Sequence, residues 1–262
     1  MKLVITAGFD GSVPALALCA LLKRSGHCID AVLVVTPFSL QRLRAMLKQR
    51  GIQGLSKLVS KLLPLKKFSA ELSLKNILLD NDVPFRSLKA WCKASEVDYV
   101  LVNNLNSPRS INKVKQSNPD VVLYAGGGIL KSSFIKAAKH KIVNNHSGPL
   151  PEVRGMNAVE WSILLGYEPT ITIHLIDRGI DTGEIISRKS LLVAKGDTIE
   201  SIRDKAVISG VLEVVRLFDG LNDVSELTKE KNRGGAVGRQ CYIMAPALRE
   251  LLRKKLKSGL DD

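Results

Sequence analysis

A chain of 262 residues, 45% of them hydrophobic, is long enough for one large α/β domain with a short extension and can bury a substantial core. No apolar run reaches the roughly 18 residues needed to cross a bilayer. The four cysteines (Cys19, Cys28, Cys92, Cys241) form no CxxC pair and no metal-ligand spacing, so a disulfide scaffold and a metal centre are excluded and reduced thiols in a cytoplasmic protein are expected. The formal net charge of +14 points to an anionic partner.

The first apolar run, Lys2 to Ala7, is short and broken by Gly8 and Asp10, so it reads as a buried strand before a turn and not as a signal peptide. Ser12 is placed to cap a helix through Arg24, with Pro14 in its first turn. Cys28 to Thr36 reads as a second buried strand, stopped by Pro37. From Ala31 to Ala70 there is no acidic residue, while Arg42, Arg44, Lys48, Arg50, Lys57, Lys61, Lys66 and Lys67 all fall there. Apolar residues at helical offsets in this basic segment, 42–67, predict two amphipathic helices broken near Gly51 and Gly54. A short helix over Ser69 to Asp80 and a short strand over Val83 to Leu88 follow.

The strand–helix alternation then becomes regular. Strands are expected at Val97 to Val102, Val121 to Ala125 and Ile142 to Asn145, and helices at Ser110 to Gln116 and Leu130 to Lys139. This pattern predicts a Rossmann-like, doubly wound, mostly parallel sheet, whose ligands sit at the carboxyl ends of the strands. A helix over Ala158 to Leu165, its Trp161 packed in the core, a hairpin from Thr170 to Ile176 and Ile185 to Leu192, and a long helix over Thr198 to Phe218 complete a domain spanning 1–218. Residues 219–262 form a basic C-terminal extension with a loop at Lys229 to Gly238 and one helix from Pro246 to Lys257. Its cluster Arg249, Arg253, Lys254, Lys255 and Lys257 suits substrate, RNA, a membrane surface, a homodimer contact or solvent equally well.

Two stretches carry chemistry. In Asn144-Asn145-His146-Ser147-Gly148-Pro149-Leu150-Pro151-Glu152-Val153-Arg154-Gly155, a strand ends on an amide and an imidazole two residues apart, hence on one side. An imidazole suits proton transfer near neutral pH, and an amide can donate to a developing oxyanion. A histidine bonding its own turn and an asparagine capping a loop would give the same letters. In Ile173-His174-Leu175-Ile176-Asp177-Arg178-Gly179-Ile180-Asp181-Thr182-Gly183-Glu184-Ile185, a carboxylate lies on a loop between two strands, where it can orient an imidazole. Asp177 competes with Asp181 for that role. His174 competes with His146, and its alternation opposite Ile173 and Leu175 assigns it a structural or surface place.

Asn-x-His with its Leu-Pro and Arg-Gly, followed by Asp-x-Gly-Ile-Asp-Thr-Gly-x-Ile, resembles the folate-dependent formyltransferase family over roughly Lys2 to Phe218. Phe9-Asp10-Gly11-Ser12-Val13-Pro14 is similar to that family's first turn. The resemblance implies 10-formyltetrahydrofolate as formyl donor, no metal, and a catalytic trio at Asn144, His146 and Asp181. It also implies a folate-binding loop at Gly126, Gly127, Gly128, Ile129 and Leu130. Ser147 stands where the family commonly has proline, which implies a slightly rearranged loop with the chemistry kept. The acceptor implied is a small anionic amine, a nucleotide-linked amino sugar. A methionyl-tRNA formyltransferase-like enzyme acting on tRNA is the alternative, as is a catalytically silent nucleotide- or RNA-binding module of the same fold.

Overall fold

The computed structural model describes residues 1–36, 69–80, 83, 87–227, 229–232 and 238–258. The two basic helices expected within 42–67 lie outside the described residues, as does most of the strand expected over Val83 to Leu88. Leu88 itself opens a helix, Leu88–Ala94, capped by the Ser87 hydroxyl, which accepts from Ala90 N at 3.1 Å. The strand expectation was wrong there because the apolar letters belong to a buried helical face, with Leu88, Trp91 and Cys92 inward.

In chain order the elements are β1 (Lys2–Ala7), α1 (Val13–Arg24), β2 (Cys28–Val35), α2 (Ser69–Asp80), α3 (Leu88–Ala94), β3 (Asp98–Val102), α4 (Pro108–Ser117), β4 (Val121–Ala125) and α5 (Ser132–Ala137). There follow β5 (Ile142–His146), β6 (Val153–Gly155), α6 (Ala158–Leu164), β7 (Thr170–Leu175), β8 (Ile185–Ser190), α7 (Ile199–Phe218), β9 (Arg239–Cys241) and α8 (Pro246–Ser258). A short 3-10 turn at Val224–Glu226 lies between α7 and β9.

Seven strands form one sheet in the order β3-β2-β1-β4-β5-β7-β8. β1 to β5 run parallel, and β7 and β8 add an antiparallel hairpin at one edge. The central strands are buried on both faces, which is why their sequences are continuous apolar runs with no alternation. On one face α1 and α7 pack over Leu3, Ile5, Val32, Leu123 and Val143. On the other, Val4, Leu33, Val122 and Ile142 pack against Phe134 and Ile135 of α5 and Val114 of α4. Each such fully buried aliphatic or aromatic side chain contributes about 1.5–3 kcal/mol.

The strand order reverses between β1 and β4, so the loops after these strands flank the crevice where doubly wound sheets hold ligands. Ser12 caps α1, its hydroxyl accepting from Ala15 N at 3.4 Å, with a proline in the first turn. The capping-box pair of Thr198 and Ser201 starts α7.

The C-terminal segment returns to the middle of the chain. Short β9, absent from the sequence expectation because three residues show no period, pairs in parallel with β6. Arg154 donates to Gly238 O at 3.0 Å, Trp161 Nε1 to Tyr242 O at 2.8 Å, and Met244 N to Asn157 Oδ1 at 3.1 Å. Leu252 and Leu256 anchor α8, leaving Arg253, Lys254 and Lys257 in solvent.

The junction depends on Gly155. Its φ is +94°, and a Cβ built there would lie 2.2 Å from Cys241 O. Gly155→Ala is expected to cost about 1–3 kcal/mol and to open the pairing, so the buried Cys241 thiol becomes reactive. In the parent only exposed Cys28 should label quickly with a thiol reagent; unchanged labelling of the variant would contradict the clamp.

Candidate active site

β5 lies beside β4, one strand from the switch point, and carries Asn144 and His146 on one face. Antiparallel β7 lies beside it in a register that pairs Asn144 with His174 and His146 with Thr172. The four side chains therefore form one polar row on the sheet. Thr172 Oγ1 donates to Gly148 O at 2.7 Å and receives Leu150 N at 3.3 Å, which fixes the loop after His146. The peptide bond between Leu150 and Pro151 is cis.

Asp181, on the loop between β7 and β8, reaches over this row. Its Oδ2 lies 3.5 Å from His146 Nδ1 and accepts from Gly155 N at 2.8 Å, while Oδ1 lies 3.6 Å from His174 Nε2. Its backbone is left-handed, with φ of 53°, and Asn232 Nδ2 holds its carbonyl at 3.1 Å. Asp177, the rival carboxylate, is turned to its own loop, accepting from Thr182 Oγ1 at 2.6 Å and Gly179 N at 3.0 Å.

The hydrogen bonds settle which nitrogen of His174 is protonated. Asn144 Nδ2, a donor only, lies 3.0 Å from Nε2, and Leu175 O, an acceptor only, lies 2.8 Å from Nδ1. His174 is thus the neutral Nδ1–H tautomer. Burial, reinforced by the neighbouring His146, depresses its pKa to about 4 against the pull of Asp181. His146 Nε2 donates to Val153 O at 2.9 Å, leaving Nδ1 toward Asp181.

Two cavities adjoin the end of β5. One, of about 210 Å³, lies between the ends of β4 and β5 and helices α1 and α7, and is bordered by Asn144, Asn145 and Gly126. The other, of about 370 Å³, is bordered by His146, Gly155 and the pair Glu160–Arg203. Of the predicted loop, Gly126 borders the first cavity, whereas Gly127, Gly128, Ile129 and Leu130 do not.

That loop has the form a flat ligand would need. All three glycines have positive φ, between 97° and 128°. The Tyr124 hydroxyl spans Gly128 N and O, Asn106 holds Ile129 O at 2.9 Å, and Ile129 is 76% exposed. Backbone and one apolar side chain are therefore presented without intervening bulk.

Residues 2–210 match the family described as formyl transferase. The chain belongs to the formyl transferase family. The methionyl-tRNA formyltransferase of Finegoldia magna is 28% identical over 142 residues, covering 53% of this chain and 46% of that protein. The chain spans about half the length of the curated relatives it matches. A phosphoribosylglycinamide formyltransferase from Bacillus halodurans superposes with a TM-score of 0.54 at 17% identity, over 86% of this chain and 98% of that one. A sugar N-formyltransferase from Shewanella sp. superposes with a TM-score of 0.57 at 13% identity, over 98% and 87%. These likenesses are of fold. Among the described residues no cluster of side chains could hold a metal ion, and no helix is long and apolar enough to cross a membrane.

The structure places Asn144, His146 and Asp181 close together, and of the two places expected for His174, structural or surface, it shows the structural one. That residue is 1% exposed and belongs to the cluster. The missing signal was parity: in an antiparallel neighbour of β5, His174 and Thr172 must share the face of Asn144 and His146. Trp161, expected in the core, is only partly buried and uses its indole to hold the C-terminal segment.

His174 also makes stability depend on pH. The unfolded ring protonates near 6.5, whereas the folded ring resists until about 4. Its contribution is complete above 6.5 and is lost as pH falls toward 4, by ~3 kcal/mol. Urea unfolding at pH 7 and pH 4 should show this loss in the parent and lack it in His174→Gln; equal losses in both would refute the assignment.

Proposed function

We propose that the chain transfers the formyl group of 10-formyltetrahydrofolate to a primary amine on a nucleotide-linked amino sugar. The observation that carries the reading is the meeting of Asn144, His146 and Asp181 at the carboxyl end of β5, beside two cavities and a glycine-rich loop. The folate supplies an activated formyl carbon. Gly126 to Leu130 would hold its ring system, through bare backbone and the exposed Ile129.

The chain's own residues do the rest. The second N–H of the Asn144 amide, free of His174, is available to the charge that develops on the formyl oxygen. Asp181, 3.5 Å from His146 Nδ1, and Val153 O, 2.9 Å from Nε2, hold the imidazole in a fixed orientation beside Asn144. The attacking amine must lose a proton, and Asp181, partly exposed and already close to both imidazoles, is the nearest base. Neutral His174 fixes the Asn144 amide and adds no charge that would compete for Asp181.

Two observations support the sugar. The cavity beside Asn144 is bordered by no charged side chain among the described residues, which suits an uncharged ring. The net charge of +14 suits a diphosphate left outside it. The tRNA reading is favoured by the curated relatives, which are methionyl-tRNA formyltransferases.

Offering 10-formyltetrahydrofolate with a panel of nucleotide-linked sugar amines and with unformylated initiator methionyl-tRNA separates these readings. Formamido product on a sugar is expected. Product on tRNA alone replaces the acceptor, and no folate binding with no transfer to any amine sinks the enzyme reading.

A further inference from the structure

The family match ends at residue 210, but the loop that carries Asp181 is held from beyond that point. In the stretch 229–232, Lys229, Glu230 and Lys231 are exposed and only Asn232 is partly buried. Glu230 fixes the approach of this stretch to the edge of the sheet. It exchanges backbone hydrogen bonds with Ile185 at the start of β8, 2.8 Å from Ile185 N to Glu230 O and 2.7 Å from Glu230 N to Ile185 O. Two residues on, Asn232 Nδ2 donates to Asp181 O at 3.1 Å and to Gly183 O at 3.0 Å. Both partners are acceptors only, so the two N–H groups of one amide are committed to the two carbonyls that flank Thr182.

That loop needs outside support. The backbone of Asp181 is left-handed, with φ of 53°, and a residue with a side chain keeps such a conformation only where its surroundings impose it. β7 ends at Leu175 and β8 begins at Ile185, so Asp181 lies outside the strand pairing. In its place, side chains take the carbonyls of Ile180, Asp181 and Gly183, Arg154 the first at 3.3 Å and Asn232 the other two. The Asp181 carboxylate is shared between two rings, 3.5 Å from His146 Nδ1 and 3.6 Å from His174 Nε2. A carboxylate so shared tolerates little rotation of the backbone beneath it.

We propose that Asn232 is a positioning residue for the reaction, holding Asp181 by the carbonyls on either side of Thr182 in the turn from which its carboxylate reaches both imidazoles. This rests on the formyl-transfer reading of the site. It adds that a residue beyond the family-matched segment sets the geometry of the proposed base.

The test uses the full chain, 10-formyltetrahydrofolate as donor, and two acceptors, a nucleoside-diphosphate-linked 4-amino sugar and unformylated initiator methionyl-tRNA. Tetrahydrofolate binding is followed by calorimetry. Asn232→Ala should lower kcat about 10- to 100-fold, the usual scale for a misplaced reacting group, with KM and tetrahydrofolate binding little changed. Asn232→Ser, whose short hydroxyl cannot reach both carbonyls, should fall in the same direction and keeps the test open if Asn232→Ala misfolds. The deciding measurement is a double-mutant cycle. In an Asp181→Asn background the Asn232 substitutions should cost no more than about 2-fold in kcat, because the group they position is already gone. A purely structural role would instead cost the same in both backgrounds. Parent-like kcat in both Asn232 variants, or an equal fold-loss with and without Asp181, overturns the inference. Absence of transfer by the parent to either acceptor overturns it as well, and joined with absence of tetrahydrofolate binding overturns the proposed function itself.

Discussion

Asn144→Ala is expected to lower turnover about 100- to 1,000-fold, the usual cost of deleting one oxyanion donor. The substitution removes the only side-chain amide on the face of β5 shared with His146. Asn144 is poised for that role because one N–H is already committed to His174 Nε2 at 3.0 Å, which stops the amide from rotating. The remaining N–H needs no reorganisation when negative charge appears. The loss should fall on kcat, with KM for donor and acceptor little changed, because the bond strengthens only as the reaction proceeds. Steady-state kinetics with saturating donor decides this. A kcat within a few-fold of the parent would show that the charge is stabilised elsewhere.

Asp181→Asn should cost more, on the order of 100- to 10,000-fold, because in the proposed chemistry one carboxylate would serve both as proton acceptor and as partner of an imidazole. Asparagine is the clean replacement: it tolerates the left-handed backbone at φ of 53° and can keep the bond from Gly155 N. Only the charge is lost. With it goes the attraction that holds the His174 pKa up against burial, so that ring should become still harder to protonate. The loss should fall on kcat, read by steady-state kinetics with saturating donor and acceptor. A kcat within a few-fold of the parent would place the base at another residue.

Legibility differed by element, for physical reasons. β1, β2, β4 and β5 were readable because strands buried on both faces are continuous apolar runs, and α7 because it is long and capped at Thr198. Asn144 and His146 announced themselves by spacing within a single strand. Asp181 required the second motif, since nothing local distinguishes it from Asp177. The contact of His174 with Asn144 was not legible because the partner lies across a strand pair, and register is a property of two segments. β9 was missed because its three residues gain their conformation from β6 alone. The contact of Asn145 with Gly210 could not be read from sequence, because only the packing of α7 brings the two together.

The pairing of β6 with β9 has a consequence for the order in which the protein is made. Arg154 and Gly238, joined by a hydrogen bond, are 84 residues apart, and every strand of the seven-stranded sheet precedes β9. A ribosome thus releases the whole sheet, with Asn144 and His146 in it and Asp181 on the loop between β7 and β8, before the segment that braces Val153 to Gly155. Gly155 N, which fixes the Asp181 carboxylate at 2.8 Å, gains its clamp only when Arg239 to Cys241 arrive. The nascent chain can fold its sheet early, but the strand that braces the partner of Asp181 arrives late.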